Sequence, residues 1–272
     1  MKFAMRPSRV LRKLRAGQVV YTFKVNLADS RSCEIAARHG FDCIWTCMEH
    51  VANDYSIVEK QVLATKCYDV DLLCRVPPRG SYSDYIRPLE LDAAGIMVPH
   101  VMSLAEAKHV VWITRFHPVG RRPADGGNAD AFYCNVPFEE YIQQANRERF
   151  VILQIEDPEP LAELDAIAEL PGYDVLFFGP GDFSHSIGAP GQMDHPLINQ
   201  TRERVAKAAI RAGKFAGTAG GPASRQQLID MGYTFLGMGA DVVGLSNYCR
   251  DVAAALGIET SNDPIAQYGA KP

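Results

Sequence analysis

VILQIEDPEPLAELDAIAELPGYDVLFFGPGD, residues 151–182, decides the fold. It opens on a nearly unbroken apolar run that ends in Glu156. An amphipathic stretch, LAELDAIAEL (161–170), follows. A Pro-Gly break then leads into a second apolar run over 175–182. Continuous rather than alternating apolarity marks strands covered on both faces, and a helix between two such strands makes a parallel strand–helix–strand unit.

The same unit recurs outward in both directions. Strand-like runs fall at 19–25, 43–48, 71–76 and 95–101 before it, and at 215–220 and 235–241 after it. With 150–156 and 175–182 they make eight. Helical stretches separate them at 30–40 (closing on Gly40, a C-cap), 58–69, 103–116 (opening on Ser103, an N-cap), 197–213 and 224–232. Eight such runs predict an α/β fold, a closed (β/α)8 TIM barrel, with an open doubly wound sheet as the alternative. The chain has 272 residues, which suits one barrel of about 250. We expect residues 1–258 to form a single barrel domain with a short N-terminal helical extension, and 259–272 a polar tail. The Gly/Pro-rich connection at 117–137 is long enough to be functional, and we expect it on the C-terminal face beside the site.

Composition narrows the function. Hydrophobic residues are 47% and charged residues 22%, as in ordinary globular proteins. A net charge of −4 supplies no basic footprint for nucleic acid. No apolar run approaches the roughly 18 residues of a membrane span. The N-terminus, MKFAMRPSRVLRKLRAGQ, is basic but has no apolar stretch after its charges, so it reads as an amphipathic helix, or else as an organelle-targeting segment, rather than a secretory signal. Seven cysteines with no C-x-x-C pair argue against structural zinc and a disulfide framework, and for a reducing cytoplasm.

In such barrels chemistry collects where strands end. The second run ends in Glu49-His50, the third near Arg75, the fifth in Gln154-x-Glu156 and the sixth in Gly179-Pro180-Gly181-Asp182. Glu156 and Asp182 end consecutive strands, about 4.8 Å apart, and can converge on one hard cation such as Mg2+ or Mn2+. The plain alternative is two solvated acids at loop edges. His50 titrates in the range that suits a general base, although a lone histidine is more often structural. A guanidinium at Arg75 must be paired with an acid or serve an anion. The glycines beside Asp182 let a ligand approach the backbone. Cys47 reads as a buried thiol. None of the strand-end positions just named is a lysine.

These residues, in this order and spacing, resemble the HpcH/HpaI class II pyruvate aldolases. The likeness is carried by GFDCIWTCMEHVAND (40–54), CRVP (74–77), GIMVPHVMSLAEAKHVV (95–111), 151–196 and AGKFAGT (212–218), and runs over residues 20 to 256. The resemblance implies His50 as catalytic base, Arg75 at the transition state, Glu156 and Asp182 as metal ligands and Gln154 as a substrate contact. It places the pyruvate carboxylate on the backbone of Gly181 and Asp182. It also implies a homo-oligomer, a hexamer built from dimers that exchange the last barrel helix.

The implied reaction is cleavage of a 4-hydroxy-2-oxo acid to pyruvate and an aldehyde, dependent on Mg2+, Mn2+ or Co2+. Oxaloacetate decarboxylation, macrophomate-synthase-like chemistry, or a non-catalytic 2-oxo-acid binder are the alternatives. Two positions depart from the family pattern. Cys47 stands where a carboxylate is usual. The acid that orients the histidine falls on Glu90 when counted back from Pro99, with Asp92 as a second choice.

Overall fold

The computed structural model describes residues 3–258. The tail expected at 259–272 lies outside the described residues. Eight strands close a barrel in sequence order: β1 (Val20–Lys24), β2 (Cys43–Cys47), β3 (Asp71–Arg75), β4 (Gly95–Val98), β5 (Phe150–Ile155), β6 (Val175–Phe178), β7 (Phe215–Gly220) and β8 (Tyr233–Ala240). Every neighbouring pair is parallel, and β8 returns to β1. The helices are α1 (Arg9–Arg15), α2 (Ser30–Arg38), α3 (Tyr55–Lys66), α4 (Tyr82–Glu90), α5 (Leu104–Thr114) and α6 (Phe138–Glu148), then α7 (Leu164–Glu169), α8 (Pro180–Ser186), α9 (Pro196–Arg211), α10 (Arg225–Asp230) and α11 (Asp241–Ala255).

All eight strand readings correspond to strands. The fourth and sixth end earlier than read, at Val98 and Phe178, and the eighth starts earlier, at Tyr233. Four helices escaped the sequence reading: α4, which carries Pro88, and α6, α8 and α11.

Strand alternation sorts the side chains into two cores. Cys43, Trp45, Leu73, Met97, Phe150, Ile152, Val175, Phe177 and Phe235 fill the barrel interior. Ile44, Leu72, Cys74, Ile96, Val98, Val151, Leu153, Leu176 and Leu236 pack outward under the helices. Cys47, Arg75 and Gln154 each lie two residues after an interior residue, so the period of two points them into the barrel mouth. Register then sets them side by side, with Cys47 opposite Arg75 and Arg75 opposite Met97.

The basic N-terminus has partners within the chain. Val10, Leu11 and Leu14 of α1 join the interior core at the strand starts. Ser8 caps α1 and donates to Asp71 Oδ2 at 2.6 Å, and Arg6 Nη1 reaches Asp71 Oδ1 at 2.8 Å. Arg9 and Lys13 pair with Asp42 at 2.9 and 2.7 Å. The helix therefore closes the N-terminal end of the barrel.

The 117–137 connection is anchored at that same end, not beside the strand ends as expected. It follows the helix α5 rather than the strand β4, and a chain that has run down a helix re-enters at the strand starts. Phe116, Ala131, Val136 and Tyr141 form a small core with Met5, whose N–H donates to Gln144 at 2.7 Å. Arg122 and Tyr141 both bind buried Asp130, at 3.1 and 2.9 Å.

The last helix behaves differently from the rest. No residue of α11 is buried, and Leu245, Tyr248 and Val252 are exposed along it.

Candidate active site

Five strand ends build the site. From β2 come Cys47, Glu49 and His50; from β3, Arg75; from β4, His100; from β5, Gln154, Glu156 and Asp157; and from β1, Lys24. Arg75 is buried, and its Nε lies 2.9 Å from Glu49 Oε2. Its Nε and Nη2 both reach Cys47 Sγ at 3.3 Å. Burial works against the guanidinium, but Cys47 and Glu49 outweigh it and hold the group above its ordinary range. The thiol that replaces the expected carboxylate thus faces Arg75, and it also accepts from the His50 N–H at 3.4 Å.

Glu156 is 1% exposed. Gln154 Nε2 donates to its Oε2, and the His100 N–H donates to its Oε1 at 3.0 Å. Gly179 makes room for this pair, since a Cβ there would lie 2.6 Å from Glu156 Oε2. Burial and the charge of Asp182 push the Glu156 carboxyl up to about 8, against the lowering effect of His100 and Arg75. Glu49, His100 and Glu156 offer ligand atoms that all lie within 4.8 Å of one another. Asp182, in the first turn of α8, is outside that trio but acts on Glu156 through its charge. A buried carboxyl raised by a neighbouring acid, among further oxygen and nitrogen donors, fits a divalent cation.

His100 has the fuller set of contacts of the two histidines. Its Nδ1 lies 2.8 Å from Asp157 Oδ2. Burial opposes the charged ring, but the Asp157 bond and the charges of Glu156, Asp157 and Glu49 hold it above its ordinary range. His50 lies at the rim, its side chain 54% exposed, with Nε2 3.5 Å from Glu49 Oε2.

Lys24 ends β1 beside the Trp45 ring, 5.4 Å from its centroid, with the Arg75 guanidinium also over that ring at 5.2 Å. Burial and Arg75 lower its ammonium, against Cys47, Glu49 and Asp182. The site therefore contains a strand-end lysine on β1, a strand whose end the sequence reading did not single out.

The structure gathers Arg75, Gln154 and Glu156, and brings Asp182 within electrostatic reach. It does not bring Glu90 or Asp92 to His50. Glu90 closes α4 at the opposite end of the barrel, where burial raises its carboxyl amid Arg122, Asp130 and Asp125. Asp92 binds Lys66 at 2.6 Å and also Arg149, at that same end. Counting along the chain assigned a helix C-terminus, which lies at the strand starts, to a site at the other end of the barrel. The sequence reading gave no role to Glu49, His100, Asp157 or Lys24. Applying the strand-end rule to the first and fourth runs finds Lys24 and His100.

A family model described as HpcH/HpaI aldolase/citrate lyase matches residues 21–247. A hydroxypyruvate/pyruvate aldolase of Pseudomonas aeruginosa is 31% identical over 247 residues, covering 90% of this chain and 91% of the relative. A 2-keto-3-deoxy-L-rhamnonate aldolase of Klebsiella pneumoniae is 32% identical, covering 85% and 86%. The crystal structure of an HpcH/HpaI aldolase from Desulfitobacterium hafniense superposes with a TM-score of 0.86 at 28% identity, covering 93% of this chain and 98% of that one. The chain therefore belongs to the HpcH/HpaI aldolase/citrate lyase family.

Proposed function

We propose that the chain is a divalent-metal-dependent class II pyruvate aldolase that cleaves a 4-hydroxy-2-oxo acid to pyruvate and an aldehyde. The observation that carries this reading is the buried Glu156, within 4.8 Å of further ligand atoms of Glu49 and His100 and next to the Arg75 group. Aldolase-named relatives across most of the chain support the lyase class. Glu156 and Asp182 would hold the ion, as Mg2+, Mn2+ or Co2+. When bound it supplies Lewis-acid polarisation of the 2-oxo group and offsets developing charge.

The chain's own residues divide the remaining work. In cleavage the 4-hydroxyl gives up its proton, the C3–C4 bond breaks, and its electron pair moves through C3 and C2 to the 2-oxo oxygen. Protonation of C3 then completes pyruvate. Arg75, fixed by Glu49 and Cys47, stabilises the charge arriving on that oxygen. His50, at the solvent rim, takes the hydroxyl proton. Gln154 keeps an Oε1 without a hydrogen-bond partner among the described residues, free for substrate. The backbone N–H groups of Gly181 and Asp182 begin α8 and have no helical acceptor, so they suit the substrate carboxylate.

Assembly follows the same reading. The exposed apolar side chains of α11 suit exchange of this helix with a second copy, in dimers that build a hexamer. Seven free cysteines suit a reducing, cytoplasmic setting. Among the described residues no helix is long and apolar enough to cross a membrane.

The test is pyruvate release from 4-hydroxy-2-oxo acids and from oxaloacetate, with Mg2+, Mn2+ or Co2+. Cleavage of the hydroxy acids that disappears with EDTA and in Glu156→Ala supports the aldolase. Oxaloacetate turnover alone replaces it with a decarboxylase, and metal-dependent pyruvate binding without turnover replaces it with a binding protein.

A further inference from the structure

We propose that His100, oriented by Asp157, is a further protein ligand of the divalent ion and the residue that makes this site prefer a transition-metal ion to Mg2+. The inference rests on the metal reading above and deepens it.

Three observations carry it. The first is orientation. Asp157 Oδ2 accepts from His100 Nδ1 at 2.8 Å, and Asp157 Oδ1 is itself held by the Ser186 hydroxyl at 3.2 Å. A proton placed on Nδ1 by that carboxylate leaves the lone pair on Nε2. This is the carboxylate–histidine arrangement that fixes tautomer and ring direction at metal sites.

The second is the separation of donor atoms. His100 Nε2 lies 3.6 Å from Glu49 Oε1 and 3.7 Å from Glu156 Oε1. Both gaps are too long for hydrogen bonds, so the ring is not simply bridging two carboxylates. Bonds of about 2.1 Å to a common ion set neighbouring donor atoms roughly 3.0–3.5 Å apart, close to these gaps. Glu49 has its other oxygen on Arg75 at 2.9 Å, which leaves Oε1 facing the ring.

The third is backbone conformation. His100 has φ of +50°, in the left-handed region that a non-glycine residue seldom occupies. In that conformation its N–H binds Glu156 Oε1 at 3.0 Å while its ring faces the same carboxylate. One residue is thus tied to Glu156 through both its backbone and its side chain.

An imidazole nitrogen changes which ion the site favours. Mg2+ prefers oxygen ligands and water, whereas Mn2+ and Co2+ accept mixed nitrogen and oxygen sets, Co2+ more strongly.

The experiment is calorimetric titration of chelator-treated protein with CoCl2, MnCl2 and MgCl2, with proton NMR of the Co2+-loaded protein in H2O. The wild type is expected to bind Co2+ at least about tenfold more tightly than Mg2+, and to show an exchangeable, strongly shifted imidazole N–H resonance. His100→Gln should lose that resonance and about tenfold or more in Co2+ affinity, with Mg2+ affinity changed less than about threefold. Asp157→Asn should weaken Co2+ by about tenfold. Circular dichroism checks that the variants fold. Absence of the shifted resonance in Co2+-loaded wild type overturns the proposal without any variant. So does His100→Gln with unchanged Co2+ affinity. In either case loss of all ion binding in Glu156→Gln leaves the aldolase reading standing. A wild type that binds none of the three ions overturns both readings.

Discussion

At the N-terminal end of the barrel every strand-start acid meets a strong cation at short range. Asp42 has Arg9 and Lys13, Asp71 has Arg6, and Asp92 has Lys66 and Arg149. At the C-terminal end the acids are shared differently. Glu49 has Arg75, but Glu156 has no lysine or arginine in ion-pair contact among the described residues, only His100 at 3.7 Å. One end pairs these strand-start acids within the fold and is closed by α1. The other keeps a buried carboxyl whose natural complement is a cation from outside. Charge that is satisfied within the fold contributes to holding the barrel, and charge left unsatisfied is available to a ligand.

The largest effect should come from cutting the unsatisfied end. Glu156→Gln is expected to lower metal-dependent pyruvate release by at least about a thousandfold. Its thermal midpoint in EDTA should not fall, because a carboxyl held above its ordinary range is a burden when ionised. A clear loss of stability would remove the contrast between the two ends. Asp71→Ala is the converse. It strips partners from Arg6, Ser8 and the Val10 N–H, and should cost about 3–5 kcal/mol in urea unfolding, with KM for the 2-oxo acid unchanged.

His50→Gln should lower kcat by about a hundredfold while calorimetric metal affinity stays as in the wild type. Loss of metal would reassign His50 from proton transfer to coordination. A subtler signature concerns pH in EDTA. Glu156 is raised, so between its ordinary pKa and about 8 the folded state holds a proton that the unfolded state has lost. Stability then falls as pH rises through that window, and Glu156→Gln should remove this part of the slope. An identical slope in the variant would show that another group is responsible. The smallest effect belongs to Arg12→Ala. Its partner Asp69 and Arg12 are both more than half exposed, so the change should stay below about 0.5 kcal/mol.

Much of this was legible in the chain. Unbroken apolar runs revealed the strands because both faces of each are covered. Arg75, Gln154 and Glu156 were legible because charged or polar groups stand out at the ends of such runs. Helix α4 was not, since Pro88 speaks against a helix until its place near the C-terminal end is known. Glu90 was misplaced because distance along the chain does not say at which end of the barrel a residue lies. The His100–Asp157–Glu156 grouping depends on the pairing of β4 with β5, where Val98 lies opposite Leu153. No feature of the fourth run alone encodes that register.

The docking of α1 has a consequence for the order of folding. Its partners come from far along the chain: Asp71 is 63 residues from Ser8, and Glu148, which accepts from the Ser8 N–H, is 140 residues away. Helix α1 thus has to wait for the third strand and for the end of α6 before it can lock. Such distant closure is slow to form, so the bottom of the barrel is sealed late, by a segment that precedes all eight strands.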